Sequence, residues 1–295
     1  MKILEITDKY YPEQLKNIKR PPKKLYVLGD VTILNNKGIA IVGSRCCTEY
    51  GEKAATFFAK ELTNQNLNII SGLAKGIDSC AHRGCISENG KTIAVLGCGF
   101  NNLYPKENKD LFDEIIKKGG AIVSEYAPSV EPSSDRFRKR NRIVSGLSVA
   151  TLIIEAAYRS GTTITARYTK EQGKPVFCIP SSIENNKGIG TNEMLKSGAL
   201  LATNIDDILI NCNLPKIDEV KEEKIKKEIY SIKPKIKVSK KYKDIYDILE
   251  NEPLNTNQIC KKINISINEL NSKLLFMEME GLVKRVAGNS YIKIQ

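Results

Sequence analysis

The chain has 295 residues, which is enough for one large domain and a second, small one. Lysine and arginine outnumber aspartate and glutamate by 46 to 34, and this net charge of +12 favours a polyanionic partner, although a lysine-rich composition alone would also produce it. No apolar run reaches the roughly 18 residues that span a bilayer, the start lacks a secretory signal, and the eight cysteines and one histidine show no metal-ligand spacing. We therefore expect a cytoplasmic protein without membrane insertion, metal or cofactor.

Residues 1–37 form a lead-in segment. After it, between residues 38 and 210, short apolar runs alternate with longer amphipathic stretches. The runs occupy residues 39–42, 67–70, 92–97, 121–125, 149–155 and 175–180. Near-continuous apolar runs separated by helical spacing are typical of parallel strands covered on both faces. We predict an α/β domain with a doubly wound, mostly parallel, Rossmann-like sheet, whose ligands bind at the carboxyl ends of the strands.

The end of the chain changes character twice. Residues 211–240 are dense in charge and nearly free of aromatic side chains, which predicts a linker. Residues 241–295 recover periodicity, with three short helical segments followed by a hairpin whose turn is Gly288-Asn289. This pattern predicts a small C-terminal winged-helix domain.

The presumed recognition helix of that domain covers residues 266–280. It carries three glutamates against one lysine, whereas a helix that reads the major groove of duplex DNA normally presents more cations. A transcription factor that reads duplex DNA is thus disfavoured, and we expect a protein-contact or auxiliary role for this domain. The apolar positions that we expect in the core of the domain are Leu270, Leu274, Leu275 and Met279.

The first predicted strand runs directly into Gly43-Ser44-Arg45, and a helical segment follows. A glycine lets the backbone approach an anion closely, a hydroxyl can donate to it, and Arg45 could hold a phosphate in bidentate fashion. The alternative is an ordinary turn in which Arg45 pairs with a surface carboxylate.

The second strand ends at another possible anion cradle, in which Lys75 lies between Gly72 and Gly76. Asp78 follows, and we expect it either to cap the next helix or to hold a neighbouring loop. Later in the chain, Gly161 lies in a Ser-Gly-Thr-Thr segment that opens a helix and supplies further backbone N–H groups.

Residues 136–142 place five cations and one aromatic side chain within seven positions. Phosphate contacts from arginine and lysine, combined with stacking of bases on phenylalanine, are typical of proteins that hold single strands without reading their sequence. A solvated basic turn is the alternative, and any one of the arginines could instead be a buried structural group.

These motifs together resemble the signature blocks of the DNA-processing protein A family (DprA/Smf). The blocks are, in order, GIAIVGSR, IISGLAKGIDSCAH, TIAVLGCGFNNLYPKEN, RFRKRNRIVSGLS, LIIEA, RSGTTITA, GKPVFCIP and GTNEMLKSGA. They span about residues 38–210, and the tail resembles the winged helix of the family. Members often have proline where this chain has Arg138, which adds positive charge near the presumed groove.

The resemblance implies a cytoplasmic homodimer that performs no catalysis. It would bind single-stranded DNA, protect incoming strands and help load the RecA recombinase during natural transformation. Carried over residue by residue, the expected DNA contacts are Gly43, Ser44, Arg45, Phe137, Lys139, Arg140 and Arg142. The residues expected to shape the groove are Gly72, Lys75, Gly76, Asp78 and Gly161.

The main alternative is a nucleotide-cleaving enzyme of the LOG type, which shares this Rossmann variant. Such enzymes carry a PGGxGTxxE loop that this chain lacks, and Glu155 is the one carboxylate at the comparable strand end. A capping or structural role is the favoured interpretation of Glu155.

A hydrolase triad is disfavoured because His82, the single histidine, has no serine in a nucleophile elbow, although its spacing permits a hydrogen bond to Asp78. No P-loop motif occurs.

Overall fold

The computed structural model of the protein describes residues 1–158, 160–217, 239–249, 253–280, 282–286 and 290–293. The chain divides into two compact units, residues 1–217 and residues 218–295. Most of the predicted linker and the predicted turn at Gly288-Asn289 lie outside the described residues. Within the described residues, no helix has the length and apolar character that crossing a membrane requires.

The first unit is built on one sheet with helices on both faces. Its strands are β1 (Lys2–Glu5), β2 (Lys24–Gly29), β3 (Gly38–Val42), β4 (Asn68–Ser71), β5 (Thr92–Leu96), β6 (Ala121–Ser124), β7 (Ala150–Ile153), β8 (Val176–Cys178) and β9 (Leu200–Leu201). Its helices are α1 (Glu13–Lys16), α2 (Glu49–Asn64), α3 (Ile77–Ser87), α4 (Lys109–Lys117), α5 (Ser134–Leu147), α6 (Thr162–Glu171), α7 (Ile189–Lys196) and α8 (Ile205–Asn211).

The strand order is β1-β2-β6-β5-β4-β3-β7-β8-β9. From β3 the chain adds β4, β5 and β6 on one side and then returns to add β7, β8 and β9 on the other, so the order reverses between β3 and β7. All pairings from β6 to β9 are parallel, whereas β2 pairs antiparallel with β6 and with β1. The predicted doubly wound, mostly parallel α/β fold is confirmed, and each of the six predicted runs overlaps a strand.

Strands β1, β2 and β9 are not predicted by the sequence pattern. Both residues of β9 are exposed, and β1 and β2 are only partly buried. Strands at or next to the edge of a sheet lack the continuous apolar run that marks a strand buried on both faces. The lead-in segment therefore extends the sheet of the first unit through two antiparallel strands.

Packing on the two faces follows from helix periodicity. In α2, the buried Ala55, Phe58, Ala59 and Leu62 recur at helical spacing, and the hydroxyl of Thr48 caps the helix by accepting from the N–H of Gly51 at 3.1 Å. Helices α2, α3, α4 and α8 cover one face, and α1, α5, α6 and α7 cover the other. This packing leaves the loops at the carboxyl ends of the strands to form a site.

The second unit contains α9 (Lys243–Ile248), α10 (Thr256–Ile263) and α11 (Ile267–Met279), with a three-stranded antiparallel sheet of β10 (Leu254–Asn255), β12 (Ser290–Lys293) and β11 (Val283–Val286). Three helices and a β-wing confirm the predicted winged-helix domain. Leu270 and Leu274 are fully buried, as expected, but the expectation for Leu275 is wrong, because it lies one position off the buried face and is 59% exposed. The side chain of Met279 lies outside the described residues.

His82 of α3 is a structural residue in the first unit. Its Nδ1 lies 2.7 Å from the hydroxyl of Thr92, which itself donates to the carbonyl of Ile69, so the imidazole donates to Thr92 rather than to Asp78. Burial, assisted by the positive charge of Arg140, lowers the pKa of His82 to about 3. The folded protein therefore holds this imidazole neutral.

Replacement of His82 tests this arrangement through the pH dependence of stability. Because the unfolded chain takes up a proton near pH 6.5 and the folded chain does not, the free energy of unfolding falls as the pH drops from about 6.5 towards about 3. In His82→Asn, whose amide can still bond Thr92 but does not titrate, this fall should be shallower by up to about 1.4 kcal/mol per pH unit. Urea titrations from about pH 7 to pH 4.5 measure the difference. Parallel curves for the two proteins would contradict it.

Candidate nucleic-acid interface

A groove of about 690 Å³ opens at the carboxyl edge of the sheet, beside the loops that follow β3 and β7. These are the neighbouring strands between which the strand order reverses, the position at which open α/β sheets bind ligands. Of the predicted site residues, the groove is lined by Gly43, Ser44, Arg45, Gly72, Asp78, Phe137, Arg140 and Gly161. It is not lined by Lys75, Gly76, Lys139 or Arg142.

The loop after β3 presents Arg45 to the groove. Gly43 leaves no room for a side chain, because a Cβ there would lie 2.7 Å from Ile77 and 2.9 Å from the carbonyl of Glu155. The hydroxyl of Ser44 accepts from the N–H of Cys46 at 3.2 Å, and its own proton is available to a ligand. Arg45 is exposed, with its guanidinium 5.9 Å from the centre of the Phe137 ring. No described carboxylate pairs with Arg45, so the alternative of a paired surface arginine does not describe it.

The turn after β4 supports the Arg45 loop. Gly76 has a φ of +72°, and a Cβ there would lie 2.4 Å from the carbonyl of Ser44, so glycine is required at this position. The N–H groups of Gly72 and Ala74 donate to Oδ2 of Asp78 at 3.1 and 3.3 Å. The possible anion cradle is thus filled by the carboxylate of Asp78, which holds the loop. Lys75 is exposed and pairs with Glu107 at 2.6 Å.

The basic segment is part of helix α5 and is not the solvated turn considered as the alternative. The hydroxyl of Ser133 caps the helix by accepting from the N–H of Arg136 at 3.3 Å. Because a helix distributes neighbouring side chains around its axis, the five cations do not act as one cluster. Phe137, Arg138 and Asn141 line the groove, and the ring of Phe137 lies 5.6 Å from the ring of Tyr104.

Arg140 lies beneath the groove and is only 5% exposed. Its Nη1 donates to the carbonyl of Gly72 at 2.8 Å and also to the carbonyl of Val95. Burial lowers the pKa of Arg140, opposed by the negative charge of Asp78, and burial raises the pKa of Asp78, opposed by the charge of Arg140. With Nη1 committed to backbone carbonyls and Nε donating to the side chain of Asn141 at 3.1 Å, Arg140 fits the alternative of a buried structural arginine better than a direct DNA contact.

Lys139 and Arg142 point away from the groove. Nη1 of Arg142 forms a salt bridge of 2.5 Å with Glu125, and its Nε donates to the carbonyl of Arg20 at 3.1 Å, so this arginine ties α5 to the lead-in segment. Lys139 is exposed and pairs with Asp135 at 2.7 Å. The structure therefore brings Arg45 and Phe137 together and separates both of them from Lys139 and Arg142.

Arg138 is a groove residue that is absent from the predicted DNA contacts, although it belongs to the basic segment and departs from the family pattern. It is exposed, and no hydrogen bond or ion pair joins it to the rest of the described chain. Helical periodicity is the signal that would have found it, because positions 134, 138 and 141 share one face of α5, and all three line the groove. Gly161 precedes α6 and faces open space, with no atom within 4 Å of a Cβ placed on it.

Glu155 is fully buried at the end of β7. Its carboxylate accepts from the N–H and the hydroxyl of Thr48, at 2.9 and 2.6 Å, and from the side-chain amide of Asn185 at 3.1 Å. Since Thr48 caps α2, Glu155 anchors the start of that helix to the sheet. This geometry supports the structural interpretation of Glu155. Among the described residues, no cluster of three or more histidine, cysteine or acidic side chains could hold a metal ion.

The fold and groove define a Rossmann-like α/β protein that presents an arginine and an aromatic ring at its topological switch point and that also contains a C-terminal winged-helix domain. Comparison with known proteins identifies the family. The sequence model described as DNA recombination-mediator protein A matches residues 2–213, and the one described as DprA winged helix domain matches residues 233–289. The chain belongs to the DprA/Smf family.

Several relatives are similar over the α/β unit. Protein Smf of Escherichia coli is 40% identical over 209 residues, which cover 71% of this chain and 56% of that protein. DNA processing protein DprA of Streptococcus pneumoniae is 40% identical over 204 residues, which cover 69% of this chain and 72% of that protein. Its X-ray structure superimposes with a TM-score of 0.67, over 71% of this chain and 73% of that chain. DNA processing protein A from Helicobacter pylori, whose structure is described as showing its single-stranded DNA binding mode, has a TM-score of 0.64 and 32% identity over 71% of this chain and 95% of that one.

Removal of the Glu155 carboxylate should cost stability. Glu155→Ala removes the acceptor of the partly buried donors of Thr48 and Asn185, and the free energy of unfolding should fall by about 3 kcal/mol. Glu155→Gln keeps an acceptor and should lose less. The control is Glu107→Ala, because this exposed partner of Lys75 should leave stability nearly unchanged. Guanidinium titration measures all three, and a Glu155→Ala protein as stable as the parent would refute the anchoring role.

Proposed function

We propose that the protein binds single-stranded DNA in the groove at the carboxyl edge of the sheet. The observation that carries this proposal is the placement of Arg45, exposed and unpaired within the described chain, 5.9 Å from the ring of Phe137 on the groove wall. A guanidinium beside an aromatic face supplies a phosphate contact and a stacking platform, the two features that hold unpaired nucleotides.

Single strands fit this groove better than duplex for a geometric reason. Phe137 lies on the wall beside Tyr104, which is 49% exposed, so a base must leave its stack to reach either ring. In a duplex the faces of the bases are covered by their neighbours, whereas in a single strand they are accessible. The single-stranded DNA binding mode described for the Helicobacter pylori relative supports the same choice.

The biological role follows from the family. We infer that the protein protects incoming single strands during natural transformation and helps load the RecA recombinase on them. The matching sequence model is described as a recombination-mediator protein, and a mediator of this kind acts together with a recombinase. The DNA processing proteins of Streptococcus pneumoniae and Bacillus subtilis, 40% and 37% identical to this chain, support the assignment to DNA processing.

We propose that the α/β unit performs no catalysis. Glu155, the carboxylate on which a LOG-type reaction would rest, is buried and committed to Thr48 and Asn185. His82, which a hydrolase would need, is buried and neutral. These commitments make the nucleotide-cleaving alternative the weaker of the two functions.

A homodimer is part of the same proposal. Strand β9 forms one edge of the sheet, and its two residues, Leu200 and Leu201, are 37% and 51% exposed. Ile210, in the helix that follows, is 72% exposed. An open edge with apolar side chains is a surface that pairs with another strand, and a second copy of the chain offers the identical edge.

Arg45→Ala should weaken single-strand binding about 5- to 150-fold, as expected for a lost charge-assisted contact of about 1–3 kcal/mol. The loss should be similar for every sequence, because the contact is to the backbone of the strand. Arg45→Lys should recover part of the affinity, since lysine keeps the charge but not the bidentate geometry. Fluorescence anisotropy with a labelled oligonucleotide measures these affinities.

The matched control for this variant is Arg83→Ala, which removes the same charge from an exposed arginine outside the groove and should bind like the parent. Thermal melting of each variant separates lost binding from lost folding. If Arg45→Ala melts and binds like the parent, the loop after β3 is only a turn.

Strand preference is tested by titrating the protein with a single strand and with a blunt duplex of equal length at the same salt concentration. The single strand should bind more tightly, and its affinity should fall with salt at a log–log slope of about −0.7 per phosphate contacted. Tighter binding of the duplex would overturn the proposed function.

A further inference from the structure

A second cavity, of about 640 Å³, adjoins the groove beside α6 and α7. Four residues line both cavities, namely Arg138, Ser160, Gly161 and Ile164. The two cavities are therefore neighbours across a shared wall, and a ligand that fills the groove can continue into the second cavity past Gly161, which has no side chain to block the way.

The chemistry of the second cavity repeats that of the groove. Tyr158 is 63% exposed there, and Arg167, whose side chain is 64% exposed, contributes a guanidinium group that pairs with Glu171 at 3.5 Å. The carboxylate of Glu193, which also lines the cavity, is paired with Lys196 at 2.9 Å. Ile164 and Met194 supply apolar surface. An aromatic ring, an arginine and apolar walls again form the combination that holds an unpaired nucleotide.

The shared wall carries an exposed cation that suits a ligand spanning both cavities. The guanidinium of Arg138 is joined to no other described residue by a hydrogen bond or an ion pair. A phosphodiester at the wall would give this guanidinium an anion to bind.

We propose that this cavity is a second nucleotide subsite, in which the strand held in the groove places a further base against Tyr158, with the intervening phosphate at Arg138. The inference rests on the proposed function, because it extends the same strand beyond Arg45. It assigns to Arg138, a position at which this chain departs from the family pattern, the role of joining the two subsites.

The experiment compares the affinities of oligothymidylates from about 3 to about 12 nucleotides for the parent, Tyr158→Ala, Tyr158→Phe and Arg167→Ala. In the parent, affinity should rise in a step once the strand is long enough to enter the second cavity. Tyr158→Ala should bind the shortest strands like the parent and lose roughly 5- to 100-fold on the longer ones, whereas Tyr158→Phe keeps the ring and should retain the step. Arg167→Ala should lose part of the step, with Arg83→Ala as the matched control.

The outcomes separate this inference from the proposed function. If Tyr158→Ala and Arg167→Ala bind strands of every length like the parent while Arg45→Ala binds all of them weakly, the second subsite is wrong and the groove assignment stands. If the parent binds no single strand at any length, both are wrong. Equal losses for Tyr158→Ala at all lengths would also overturn the second subsite, and melting curves identify a variant that has merely lost its fold.

Discussion

Two buried charges, Asp78 and Arg140, hold the groove in shape by sharing the space around Gly72. A Cβ on Gly72 would lie 2.5 Å from Nη2 of Arg140 and 2.8 Å from Oδ2 of Asp78. The carboxylate accepts from the loop after β4, while the guanidinium donates to carbonyls at the ends of β4 and β5. Helix α5, which carries both Arg140 and Phe137, is thereby locked to the carboxyl edge of the sheet. The position of the Phe137 ring, and with it the stacking platform, depends on this lock.

Burying two charges is costly unless backbone groups satisfy them, and here backbone groups do so for both. The arginines of this one short segment therefore have different roles: some stabilise the interior, and one remains exposed to a ligand. Arg140 and Arg142 are committed to carbonyls and to Glu125, whereas Arg138 keeps its guanidinium exposed. A rigid interior charge and an exposed contact charge can therefore come from neighbouring positions of one helix, because each successive residue turns by about 100° around the helix axis.

The core of the fold was predictable because a strand buried on both faces needs a nearly continuous apolar run. Strands β3 to β8 obey this rule, and their order along the chain implies parallel pairing with helical crossovers. Strand β9 was not predicted because both of its leucines are exposed at a sheet edge, and β1 and β2 were not predicted because only some of their side chains are buried. In the winged-helix domain, Leu275 shows that an apolar residue on a predicted helix is not thereby a core residue.

For the site, the sequence by itself determined which chemistry is present. It shows a glycine-containing turn with Arg45, a block of cations around Phe137, and a single histidine with no serine in a nucleophile elbow. It also determined the family, since eight motifs occur in the expected order. Only the tertiary structure decided which of those cations reach the groove, because burial and hydrogen bonding depend on what packs against α5 from distant parts of the chain. Arg140 donates hydrogen bonds to the carbonyls of Gly72 and Val95, and Arg142 forms a salt bridge with Glu125. None of these three partners lies beside its arginine in sequence.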